Sequence, residues 1–220
     1  VNAKTGEVKI PGFYKDVVKP TKEEIKSFLK SGFQVKRFKE AYGLHSLRTE
    51  DPAEVTRRIW AAPTFEIHGL SGGYHGPGLK TVIPGHGELK LTMRLVPNQT
   101  PEKAFTLFKQ YVAKVNPNVK VERENMVHPF KGSFDGPYVE CVKRAAKAGF
   151  GKEPAFIREG GSIGAVVTMQ RAWKVPILFL GLSLPEHGYH APNEYFDWGQ
   201  ASGGMKAFAH YFSELANMGR

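Results

Sequence analysis

One cysteine in 220 residues, Cys141, is too few for an intrachain disulfide. The stability of this chain therefore does not rest on oxidation, and a thiolate metal site is excluded with it. No apolar run approaches the roughly 18 residues that a membrane-spanning helix needs. The N-terminal VNAKTGEVKI has no apolar signal-peptide core either. A cytoplasmic setting with no membrane contact is the expectation. The chain starts on Val1 rather than methionine, which reads as the downstream part of something longer. What is present is ordinary: 41% hydrophobic and 24% charged residues are the balance of a globular chain able to bury a core, which excludes fibrous and wholly disordered states.

The formal charge of +10 raises the question of nucleic acid. More than half of the excess lies in residues 1–49, which hold 11 Lys/Arg against 5 Asp/Glu around KEEIKSFLKSGFQVKRFKE. A lysine-rich helical stretch of this kind reads as a solvated face or as a dock for an acidic partner. No nucleic-acid-binding motif accompanies it, so no nucleic-acid partner is expected.

Thr21 followed by Glu24 is a capping box that opens a helix through about Lys30. A second helical stretch is expected around 33–48, and a third at 51–60, where Asp51 is the N-cap and Pro52 takes the first turn. The period then changes from helical to alternating. Phe65 and Ile67 alternate with Glu66 and His68, and Leu89, Leu91, Met93 and Leu95 with Lys90, Thr92 and Arg94, predicting two half-buried strands joined by a glycine-rich segment. Thr100 and Pro101 open a helix through Val115, and 118–122 is expected to add a third strand to one sheet covered by that helix. This is a small α+β layer with one open sheet face.

After about residue 131 the pattern becomes helix (137–148), glycine-rich loop (158–161), helix (162–172), an unbroken apolar strand (175–181), a polar loop and a C-terminal helix. That last helix carries Met205, Phe208, Phe212 and Leu215 on one face. Buried strands alternating with helices indicate an α/β unit with a parallel sheet. Two units are thus expected, 1–130 and 131–220.

The polar loops after the α/β strands are where open parallel sheets place ligands. In LSLPEHGYHAPNE, His187 and His190 lie three apart, and imidazole suits zinc, but one loop is at most part of a site. REGGSIG at 158–164 precedes a helix, so its backbone N–H groups and Ser162 can cradle an anion or simply form a tight turn. Ser162 lacks the G-x-S-x-G setting of a nucleophile. Arg94 sits on the polar face of its strand, consistent with exposure or with a bidentate carboxylate clamp. His128 lies where the two expected units meet.

In that order, IPGFYKDV (10–17), KTVIPG (80–85), RLVPNQ (94–99), HPF (128–130), REGGSI (158–163) and HAPNE (190–194) resemble the di-zinc metallopeptidases of the aminoacylase/carboxypeptidase clan. The nearest likeness is to the carnosinase-like cytosolic dipeptidases. The resemblance spans nearly the whole chain. It implies an α+β lid or dimerisation domain over 1–130, lacking its first strand and most of its first helix, followed by the C-terminal part of the α/β catalytic domain. It implies His190 as one metal ligand, Gly161 and Ser162 as the substrate-carboxylate loop, and Arg94 as the lid arginine that clamps that carboxylate. His128 becomes a lid-edge substrate contact, and Thr81 a residue reaching the partner subunit's site in a homodimer.

The same resemblance places the other metal ligands and the general base in an upstream catalytic half, so no catalytic residue is expected in this chain. The complete enzyme would use two zinc ions to hydrolyse dipeptides, short peptides or acyl-amino acids with a free C-terminal carboxylate. This chain alone would be inactive and metal-free or only partly occupied, and the alternative is a non-catalytic dimerisation and clamping fragment. Two departures stand out: Gly164 replaces the usual proline after G-G-S-I, and Ala191 the usual serine after the ligand histidine.

Overall fold

The computed structural model describes residues 1–159 and 163–218. They form two compact units, and the chain passes between them at 18/19, 61/62 and 129/130.

The first unit holds residues 1–18 and 62–129. Strands β1 (Thr64–Gly72) and β2 (Gly87–Arg94) pair as an antiparallel hairpin, with Phe65 opposite Met93 and Thr64 opposite Arg94. Register slips between Ile67 and Gly69, leaving His68 as an extra residue in a bulge. Helix α1 (Pro101–Val115) of this unit is capped as its sequence predicts, the Thr100 hydroxyl accepting from the Lys103 amide.

Phe65, Met93 and Leu95 from the hairpin and Leu107, Phe108 and Tyr111 from that helix close over buried Val8, Ile10 and Phe13. Gln99 is buried at the seam: its amide donates to the Phe13 carbonyl at 2.8 Å while its oxygen accepts from the Val96 amide at 3.1 Å. The covered area is only the base of the hairpin. Farther out, Ile67, Leu70 and Leu89 lie exposed, and in the connecting loop Leu79 is 98% exposed.

Residues 118–122 do not form the third strand. Asn116 and Pro117 make a turn there, with the Asn118 amide donating to the Asn116 side chain at 3.0 Å. Among the described residues the sheet has two strands only, and five alternating residues without a neighbouring ladder have nothing to hold them extended.

The second unit holds 19–61, 130–159 and 163–218. Segment 19–61 groups with this unit. It contributes α2 (Lys22–Lys30), α3 (Val35–Ala41) and α4 (Pro52–Ala61). The predicted capping box is formed: the Thr21 hydroxyl accepts from the Glu24 amide, and the Glu24 carboxylate accepts from the Thr21 amide at 2.9 Å. Phe28 is buried against the Trp60 ring. The stretch expected as helix over 33–48 stops at Ala41, where Tyr42 and left-handed Gly43 turn the chain.

Helices α5 (Pro137–Phe150), α6 (Gly164–Trp173) and α7 (Trp198–Asn217) complete the unit. α5 and α7 pack through small residues: a side chain at Gly149 would meet the Gly203 carbonyl and Ala207, and one at Gly203 would meet the Phe150 ring. The stripe expected to be buried on α7 is therefore not the buried one. Gly203, Gly204 and Ala207 go inside, while Met205, Phe208 and Phe212 are exposed. Residues 175–181 take no regular secondary structure and pair with no strand among the described residues, with Val175 and Phe179 exposed. A central parallel strand takes hydrogen bonds from neighbours on both sides, and the described residues contain none.

Candidate functional site

The loop from Leu182 to Asp197 gives its two histidines opposite environments. His187 is 2% exposed. The Leu184 amide donates to its Nδ1 at 3.1 Å, which makes that nitrogen the acceptor, so Nε2 carries the proton and donates to Asp197 Oδ2 at 2.8 Å. The Tyr195 and Phe196 rings pack on it, and its carbonyl accepts from the Tyr195 amide. Asp197 also caps α7, accepting from the Gln200 amide at 2.9 Å. That amide first, then His187 against an opposing burial cost, holds the Asp197 carboxyl below its usual range. With its only lone pair accepting from the Leu184 amide, His187 has none left for a metal.

His190 is exposed, and among the described residues its ring takes no hydrogen bond. Its backbone is left-handed (φ 66°), as is that of Asn193 (φ 62°), and its amide donates to Glu194 Oε2 at 3.3 Å. Two non-glycine residues in this region within four positions cost roughly 1–3 kcal/mol each. The loop is thereby turned so that His190, three residues beyond the His187 anchor, stands exposed beside the Tyr189 ring.

One neighbouring helix ties to this loop. From α3, Arg37 pairs with Glu186 at 2.6 Å, and the Tyr42 and Tyr189 hydroxyls meet at 2.9 Å. Burial, then that hydrogen bond, then charges including that of Glu159 push the Tyr189 phenol up. Glu159 stands at the mouth of the glycine loop, whose Gly161 and Ser162, the expected carboxylate cradle, lie outside the described residues.

Leading to that loop, Arg158 donates from Nε to Glu24 at 3.1 Å, and Lys131 reaches the same oxygen at 2.9 Å. Ser27 ties the segment further, donating to the Phe156 carbonyl at 2.7 Å and accepting from its amide. Burial alone raises the Glu24 carboxyl. Hydrogen bonds from Lys131, the Thr21 amide and Arg158 together outweigh it and hold it down at about 2.

The remaining expected site residues belong to the first unit. Arg94 is exposed at the end of β2, without an acidic partner among the described residues. Thr81 lies in the exposed loop between the strands. His128 is half-buried, with Nε2 3.5 Å from Glu102 in the first turn of α1. Sequence reasoning missed Arg37, Tyr42, Lys131 and Arg158, and saw Glu24 only as a cap. Nothing in a local pattern reveals that the second oxygen of a capping glutamate is spoken for 134 residues away.

No three His, Cys, Asp or Glu side chains among the described residues are grouped to hold a metal ion. His190 fits zinc as a single imidazole donor, and a protein zinc site takes at least three.

Comparison with known proteins gives these features a context. Residues 20–120 match the peptidase dimerisation domain of the M20 type. The Cys-Gly metallodipeptidase of Schizosaccharomyces pombe is 33% identical over 97% of this chain, and the human Beta-Ala-His dipeptidase 30% identical over 97%. The structure of the dipeptidase Dug1p of Saccharomyces cerevisiae superposes with a TM-score of 0.86 at 28% identity, covering 99% of this chain and 46% of that one. The chain spans 46% and 43% of the two relatives' own lengths.

Proposed function

We propose that this chain, a homologue of the M20 metallodipeptidases that carries their dimerisation domain, is the lid and C-terminal catalytic portion of a zinc-dependent dipeptidase. The enzyme hydrolyses dipeptides or short peptides with a free C-terminal carboxylate. The observation that carries the reading is the division of labour in the 184–197 loop. His187 is fully committed to Asp197 and the Leu184 amide, while His190, four residues before Glu194 in HAPNE, keeps its imidazole free.

Zinc, when bound, polarises the scissile carbonyl and activates water. His190 contributes one ligand and the upstream half of the enzyme the rest, together with the general base. Arg94 and the Gly161–Ser162 loop bind the substrate carboxylate, with His128 at the lid edge. The exposed hairpin tip, with Ile67, Leu70 and Leu79, supplies the homodimer surface, and Thr81 on the same loop reaches the partner's site. Metal analysis of the full-length enzyme tests the assignment. His190→Ala should lose zinc and activity sharply, and His187→Ala should retain most of its zinc when folded. Equal zinc loss in both variants refutes it.

A second reading has its own observation. An exposed imidazole with no group of three ligands around it among the described residues favours a reading of the isolated 220-residue chain as a dimerising, clamping module. Titration of that chain with zinc should show only weak binding, abolished by His190→Ala.

A further inference from the structure

Helix α3 is an oddity on its own terms. It has seven residues, no side-chain cap and no buried residue, and so short a helix is not stable in isolation. What holds it is a ladder of rings. Phe28, buried in α2, meets Trp60 at 5.4 Å; Trp60 meets Phe33 at 5.5 Å; Phe33 meets Phe38 at 5.5 Å; Phe38 meets Tyr42 at 5.0 Å. Each step falls in the range where edge and tilted aromatic pairs attract. The ladder ends at the Tyr42 hydroxyl, 2.9 Å from that of Tyr189. One helical turn earlier, Arg37 meets Glu186 at 2.6 Å, and Lys39 anchors the far side of the helix to Glu50 at 3.1 Å.

Both of its outer ties land on the histidine loop, on either side of the buried His187. From within, that loop is pinned by Asp197, the Leu184 amide and the Tyr195 amide. From without, among the described residues, α3 ties it through Arg37 and Tyr42. His190 is the next residue after Tyr189, between the inner anchors at His187 and Tyr195, and turned by its left-handed backbone.

We propose that α3 is a positioning element for His190: Arg37 and Tyr42 brace residues 186–189 from outside, fixing where the imidazole stands. This rests on the reading of His190 as a metal ligand. Residues that orient a ligand from behind typically change metal affinity by about 10- to 100-fold when removed. Arg37 is 63% exposed, so neither tie is strong alone, and the effect belongs to the pair.

The test uses the full-length protein and two readouts. In metal-free protein, Arg37→Ala combined with Tyr42→Phe should speed amide hydrogen exchange over 188–194 at least about tenfold while leaving α5 unchanged. In protein titrated with cobalt(II) alone, the same variant should bind about 10- to 100-fold more weakly and show an altered visible ligand-field spectrum. Arg37→Glu combined with Glu186→Arg should restore exchange and affinity toward wild type, a rescue that a general loss of stability would not show. Unchanged exchange overturns the proposal, as does faster exchange with cobalt affinity and spectrum intact. His190→Ala, run alongside, separates the two readings. If it keeps its metal the ligand assignment fails, and the exchange data alone then decide whether α3 braces the loop.

Discussion

Glu24 offers the most quantitative test of how the second unit is held. Its carboxylate is 8% exposed and serves two masters: one oxygen closes the capping box on Thr21, and the other receives Lys131 and Arg158 from segments more than a hundred residues away. Its pKa of about 2 lies well below the ordinary value of 4.5. At about 1.4 kcal/mol per pH unit, that difference corresponds to about 3 kcal/mol of folding stability at neutral pH. Because the folded value is the lower one, the contribution is complete above about pH 5.5 and drains away as pH falls through 4.5 toward 2.

Glu24→Gln keeps the shape and one acceptor but leaves the half-buried Arg158 without a counter-charge, the costlier half of breaking such a pair. Urea denaturation between pH 3 and 7 provides the assay. All three tryptophans, Trp60, Trp173 and Trp198, lie in the second unit, so their fluorescence reports that unit alone. The variant should be less stable by about 3 kcal/mol at pH 7, and the gap should narrow to about 1.4 kcal/mol by pH 3. A gap that stays constant with pH would show that Gln fails as a cap or in packing, and the charge argument would be wrong.

Other consequences are nearer the surface of the argument. Gly203→Ala drives a methyl group into the Phe150 ring and should cost at least about 2 kcal/mol in the same tryptophan-monitored unfolding; a neutral result would mean that α5 and α7 can part freely. His187→Ala leaves a cavity and strips Asp197 of its partner, so it should destabilise by about 2–4 kcal/mol, against less than about 0.5 kcal/mol for exposed His190→Ala; similar losses would contradict their assigned environments. In the full-length enzyme, Arg94→Lys and Arg94→Ala should each lower kcat/KM for free-carboxylate dipeptides at least about tenfold, about 1.4 kcal/mol, because lysine cannot reproduce the guanidinium fork. C-terminally amidated substrates should be nearly indifferent to either change, and equal losses on both substrate types would make Arg94 structural.

What could be read from the sequence was whatever a few consecutive residues decide. The Thr21–Glu24 box, the Asp51 cap and the Thr100–Pro101 start all formed, since each needs only its own turn. The hairpin formed because both strands carry their own alternation and each is the other's partner. Residues 118–122 and 175–181 had equally regular patterns and did not become strands, because a strand is completed by a neighbour that its own sequence does not specify. The same limit applies at the site. His190 stands out in the sequence only through HAPNE, whereas Arg37, Tyr42 and Arg158 act through partners 134 to 149 positions removed, and the sequence around them looks like solvated charge.

Helix α7 shows why hydrophobic periodicity alone misjudged which face is buried. Its large apolar residues, Met205, Phe208 and Phe212, repeat at three- and four-residue spacing as a core stripe does. The face pressed against α5 is instead the small one, where Gly203 and Ala207 let two backbones approach more closely than side chains would allow. A helix with both a small-residue face and a large apolar face has two surfaces to bury. Here one is covered, and the other lies beside Leu178, Phe179 and Leu180, with Phe208 and Tyr211 lining the shared groove. An apolar segment beside an uncovered apolar helix face leaves a second surface that packing against a further layer would bury.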